Sequence, residues 1–104
     1  MAHSKTFVVE DPKDPALGWT FNLSTWPDGK NFTAGDILVF NYDPYDHNVV
    51  KLPESGYNKC KATKNFTSYQ SGHDRIPLEK GWNYFICTFD YHCEEGMKIA
   101  VYAA

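Results

Sequence analysis

No stretch of this chain keeps a helical hydrophobic period for three turns, and that constrains the fold more than any other feature. What recurs instead is a short apolar or alternating run closed by turn residues. The runs are KTFVVE (5–10), GWTFNL (18–23), GDILVFNY (35–42), HNVVKL (47–52), HDRIPL (73–78), WNYFICTF (82–89) and MKIAVYA (97–103). Turn signals fall at Pro27-Asp28-Gly29, Ala34-Gly35, Asp43-Pro44 and Glu79-Lys80-Gly81. About seven short strands in 104 residues predict an all-β antiparallel sandwich. The unbroken Ile37-Leu38-Val39-Phe40 run reads as a strand buried on both faces. Pro77 marks its own run as an edge or bulged strand, since it has no N–H to offer a ladder. PESGYNKC (53–60) has room for one short helical turn.

The length suits one domain over residues 1–104, with a core small enough to profit from a staple. The formal charge of −3 and the lack of a basic run argue against a nucleic-acid partner. No apolar stretch reaches membrane-spanning length. The first ten residues lack the apolar centre of a signal peptide. Three glycosylation sequons nevertheless begin at Asn22, Asn31 and Asn65, so the expectation is an extracellular protein whose signal peptide lies outside this sequence.

The segment FICTFDYHCEEGMKIAV (85–101) carries the chemistry. Cys87, His92 and Met97 follow one another at intervals of five, between two expected strands. A loop held by sheet at both ends can converge side chains that a strand would point to opposite faces. Thiolate, imidazole and thioether together suit copper in both oxidation states; one Cys, two His and a weak axial Met form the blue-copper set. A second imidazole is therefore required. His3 lies at the terminus and His73 follows a Ser-Gly turn, whereas His47 opens a run directly after the Asp43–Asp46 turn. With Cys87 on the metal, Cys60 and Cys93 remain to pair. Their bond would close about 34 residues, which chain entropy values at roughly 3–4 kcal/mol. Taken singly, Cys87 reads as an inert buried thiol, Met97 as core filler and each histidine as a surface residue. Zinc fits poorly because thioether is a weak ligand for it. A thiol protease fits poorly because Cys87 lacks a helix N-terminal setting. The joint pattern outweighs the single readings.

On GWTFN, WPDGKNFTAGDILVFNYDPYDHNVV, YQSGHDRIPL and YFICTFDYHCEEGMKIAV the chain resembles the phytocyanins, plant blue copper proteins of cupredoxin-like Greek-key fold, and within them the plantacyanin subtype. The resemblance implies one copper per chain held by His47, Cys87, His92 and Met97, and a Cys60–Cys93 disulfide. It also implies that Asn48 ties the His47 loop to the Cys87 loop through hydrogen bonds near Thr88. It differs from the subtype in being acidic, and in having Tyr91 where a glycine is common.

The resulting expectation is a type 1 copper protein, not an enzyme. It would be a monomeric extracellular one-electron carrier of the apoplast or cell wall, with a small molecule or an extracellular protein as redox partner. The alternative is a cell-wall recognition or signalling module of the same fold in which copper is incidental. Trp19, Trp26 and Trp82 are read as packing residues, and Tyr42, Tyr45 and Tyr91 as flanking the site.

Overall fold

The computed structural model describes residues 4–104, which form seven strands and one short helix. In chain order these are β1 (Thr6–Val8), β2 (Ile37–Asn41), β3 (Val49–Leu52), α1 (Glu54–Lys59), β4 (Thr67–Tyr69), β5 (His73–Pro77), β6 (Gly81–Ile86) and β7 (Lys98–Ala103). They build two sheets, β1-β2-β5 and β4-β3-β6-β7. The Greek-key sandwich expected from the sequence is present with one difference: β1 pairs with β2 in parallel, Phe7 opposite Leu38. A parallel neighbour needs a long crossover, and residues 9–36 supply it.

Local sequence accounts for the placement. β2 is the centre of its sheet, and its middle three residues are buried, as the continuous apolar run requires. β5 is an edge strand, so Pro77 costs no ladder bond. Along β7, Ile99, Val101 and Ala103 face inward while Tyr102 faces out. The main core includes Val9, Trp19, Leu38, Phe40, Val49, Phe85, Met97 and Ile99. Side chains of this size contribute about 1.5–3 kcal/mol each on full burial. Val50, Leu52, Ile86 and Cys93 form a smaller cluster on the other face of β3 and β6, where Tyr57 of α1 and Cys60 pack on it.

Two runs behave differently from their pattern. Residues 18–23 look like a strand but form none, because Gly18 (φ 60) and Asn22 (φ 57) are both left-handed. A Cβ on Gly18 would stand 2.2 Å from the Asn41 carbonyl oxygen, so that position accepts only glycine. The segment is anchored by tertiary bonds instead: Trp19 N–H to Asn41 O at 2.9 Å and Leu23 N–H to Gly96 O at 3.0 Å. Conversely β4, a three-residue edge strand of exposed and half-buried residues, has no apolar pattern by which to be seen.

Candidate metal centre

The site lies at one rim of the sandwich, where the loop before β3 meets the loop between β6 and β7. The first loop is wound on Asp43. Its carboxylate accepts the Tyr45 N–H at 2.9 Å, and its carbonyl accepts the N–H groups of Asp46 (2.9 Å) and His47 (3.0 Å). His47 therefore sits two residues ahead of β3 and does not open the strand. Asn48, buried at 8% exposure, bridges to the other loop: its amide donates to Thr88 Oγ1 at 2.8 Å and its side-chain oxygen accepts the Thr88 N–H at 2.9 Å. Its carbonyl accepts the indole N–H of fully buried Trp19 at 2.8 Å.

The second loop closes on itself. Cys87 N–H donates to Met97 O at 3.1 Å, directly beyond the ends of β6 and β7. Met97 N–H donates to His92 O at 3.0 Å, and Gly96 N–H to Cys93 O at 2.9 Å. Cys93 is bonded to Cys60, the left-handed residue that caps α1. Cys87 is the free, fully buried cysteine.

These constraints bring His47, Cys87 and His92 together, with one ligand atom of each within 4.8 Å of the others. His92 Nδ1 is 3.2 Å from His47 Nδ1 and 3.4 Å from Cys87 Sγ. Two ring nitrogens at 3.2 Å cannot both carry a hydrogen, so at least one presents its lone pair to the other. Burial lowers the His47 pKa, and the neighbouring His92 lowers it further, against the pull of Asp46 and Asp43. Burial pushes the Cys87 thiol up, opposed by the backbone N–H groups of Asn48 and Phe89. A cation at this point would replace the thiol proton and satisfy both imidazoles. Two imidazoles and one thiolate with no carboxylate in the cluster fit copper.

Met97 is fully buried in the same core cluster as Cys87. His73 is exposed on β5, and His3 lies outside the described residues. Tyr42 is half-buried, and its hydroxyl donates to Asp74. Tyr45 and Tyr91 are 90% and 76% exposed and do not pack into the core. Tyr91 takes φ 58, in the left-handed region that favours glycine. Trp82 is 60% exposed on the outer sheet face, unlike Trp19 and Trp26 in the core. The sequon residues Asn22, Asn31 and Asn65 are all exposed.

One site residue was not visible in the sequence. Phe21 sets its ring edge-on to both imidazoles, 4.9 Å from His92 and 5.9 Å from His47 between centroids. Its segment resembles a strand, which hides that role. Phe89, from the metal loop itself, lies nearly parallel to the His92 ring at 6.1 Å.

A two-sheet sandwich with a His-Cys-His cluster at one rim defines a blue copper protein of cupredoxin type. Comparison with known proteins agrees. Residues 19–97 match the plastocyanin-like domain family. The basic blue protein of Arabidopsis thaliana is 59% identical over 85 residues, covering 82% of this chain and 66% of that protein. The chemocyanin of Lilium longiflorum is 55% identical over 104 residues, covering all of this chain and 79% of that protein. Among solved structures, cucumber basic protein, a blue copper protein, superposes with a TM-score of 0.87 at 49% identity, covering 95% of this chain and 99% of its own. The chain belongs to the phytocyanin family of plant blue copper proteins, on its plantacyanin-like branch. Its cofactor is a single copper.

Proposed function

We propose that this protein is an extracellular one-electron carrier, folded as one domain over residues 1–104 and working as a monomer, in which the Met97 thioether would join His47, Cys87 and His92 as a fourth ligand of the copper. The observation that carries the reading is that protein contacts alone bring the His47, Cys87 and His92 donors together. The Asn48–Thr88 pair and the Cys60–Cys93 bond hold the two loops, so the donor atoms have little to rearrange. Copper, when bound, supplies the Cu(II)/Cu(I) couple. Phe21 shields the rings from water on one side, while His47 and His92 line a shallow depression open to solvent, which gives the electron an exit. Met97 is rooted between two of the other ligands, its N–H on the His92 carbonyl and its carbonyl on the Cys87 N–H, which supports its role as a fourth ligand. The disulfide suits an oxidising compartment, and the exposed sequons suit glycosylation there.

The test is visible absorption during Cu(II) titration, followed by voltammetry of the native protein and of Met97→Gln. The expected outcome is an intense blue colour, a reversible one-electron wave, and a lower potential in the variant, because the amide oxygen is a harder donor that favours Cu(II). Each shift of about 59 mV is tenfold in the equilibrium constant. An unchanged potential would make Met97 core packing. A redox-inert copper complex would favour the recognition-module alternative.

A further inference from the structure

The chain's negative charge is concentrated at one end. Residues 43–47 and 87–97 carry Asp43, Asp46, Asp90, Glu94 and Glu95 and no lysine or arginine, so these two loops hold −5. The rest of the chain, with ten basic and eight acidic residues, carries +2. All five carboxylate residues are exposed. The next cation along the chain, Lys98, is half-buried and turned to α1, with Nζ 2.7 Å from the Tyr57 carbonyl and over the Tyr57 ring. The turn at residues 70–72, which packs on Pro44 through Gln70, brings no charge. Beside two of these acids lies a shallow depression of about 390 Å³, walled by Phe21, Tyr45 and Phe89, with His47 and His92 among its lining residues. Asp46 and Asp90 stand on its rim. Phe21 also borders the neighbouring hollow that Glu94 and Glu95 line.

We propose that this aromatic depression over the His47 and His92 rings is the docking face for a redox protein whose own centre is surrounded by lysine and arginine. The proposal rests on the electron-carrier reading and adds the chemistry of the partner. Aromatic walls supply contact area close to the donor rings. The clustered carboxylates supply orientation, since a local negative potential draws a cationic surface to this face before contact. A copper held by His47, Cys87 and His92 would supply the one electron, Cu(I) going to Cu(II) as the partner's oxidised centre is reduced by one unit. No bond forms or breaks and no proton moves. Acids placed only for solubility would be dispersed; here five of the thirteen fall in two loops that meet at the site, so an anionic partner is repelled from this face.

Two measurements test this. The first needs no electron transfer. Redox-inert paramagnetic hexaamminechromium(III) is titrated into the reduced copper-loaded protein and into the metal-free protein, with hexacyanochromate(III) as the anionic control. The cation is expected to broaden the NMR signals of Phe21, Tyr45, Asp46 and Asp90, and the anion to leave them sharp. Equal broadening by both, or broadening by the cation mainly at other acids such as Glu79, would overturn the docking face. The second follows oxidation of the reduced protein by basic ferric cytochrome c and by its succinylated, acidic form. The rate with the basic form should fall as salt rises, and Asp46→Asn/Asp90→Asn should lower it about threefold or more at low salt with the blue absorption intact. A faster reaction with the succinylated form would also overturn it. Failure of the carrier reading is separable, because it would abolish electron exchange with both cytochromes and leave the chromium probe result to judge the face.

Discussion

The two loops that meet at the copper site are held in different ways. The loop before β3 is short. It contributes one ligand, turns on the Asp43 side chain and carbonyl, and is fastened to its neighbour by the Asn48 side chain. The loop between β6 and β7 contributes Cys87 and His92, is laced by its own backbone bonds from Cys87 to Met97, and is tied covalently through Cys93 to the end of α1. A segment delivering one donor can rely on a polar clamp to a neighbour. An eleven-residue segment that must deliver several donors to one point needs closure at its mouth and an anchor in its middle. The difference implies that the long loop loses more when its tie is cut.

Breaking the long loop's anchor should give the largest effect. Cys60→Ala/Cys93→Ala removes the cross-link and should destabilise the metal-free protein by about 3–4 kcal/mol, lowering its melting temperature by roughly 15 °C in calorimetry. Cutting the short loop's clamp should cost less. Asn48→Ala removes two side-chain hydrogen bonds to Thr88 and should cost about 1–3 kcal/mol by urea denaturation, with a shift in the blue absorption band as the loops part.

Smaller changes sharpen the contrast. Tyr91 holds the long loop in a left-handed conformation that a side chain resists, so Tyr91→Gly should stabilise the protein by about 1 kcal/mol in the same denaturation assay. On the short loop's side, Tyr42 leads into the turn and donates its hydroxyl to Asp74. Burial, followed by that hydrogen bond, raises its phenol pKa. The folded state thus holds the proton more tightly than the unfolded one. The resulting stabilisation is fully present below the unfolded value of about 10 and is lost as pH climbs through the higher folded value. Native protein should therefore lose stability between pH 10 and 12 more steeply than Tyr42→Phe, as read by denaturation at fixed alkaline pH.

Much of this was legible from residue order. Cys87, His92 and Met97 lie within one loop, so their spacing and donor chemistry report on one another without knowledge of the fold. The pairing of Cys60 with Cys93 followed once Cys87 had a use, and the structure contains that bond. Pro77 announced an edge strand through its missing donor. What escaped notice depends on distant contacts. Phe21 reaches the imidazoles only because Gly18 and Asn22 turn a strand-like segment into an irregular one. The parallel pairing of β1 with β2 is set by a long crossover with no local signal. The charge asymmetry is written in the sequence, but it has meaning only when both acidic loops are known to face the same end.

Trp19 has a practical consequence. Its indole is fully buried and donates to the carbonyl of Asn48, one peptide bond from His47. Cu(II) bound at this distance takes up energy or an electron from an excited indole, so emission from the protein interior should dim as Cu(II) enters. Trp82, exposed on the outer face of the sheet, emits at longer wavelength from a watery setting. In the purified protein the ratio of interior emission, from Trp19 and the buried Trp26, to that of Trp82 is an internal gauge of Cu(II) loading that needs no added dye.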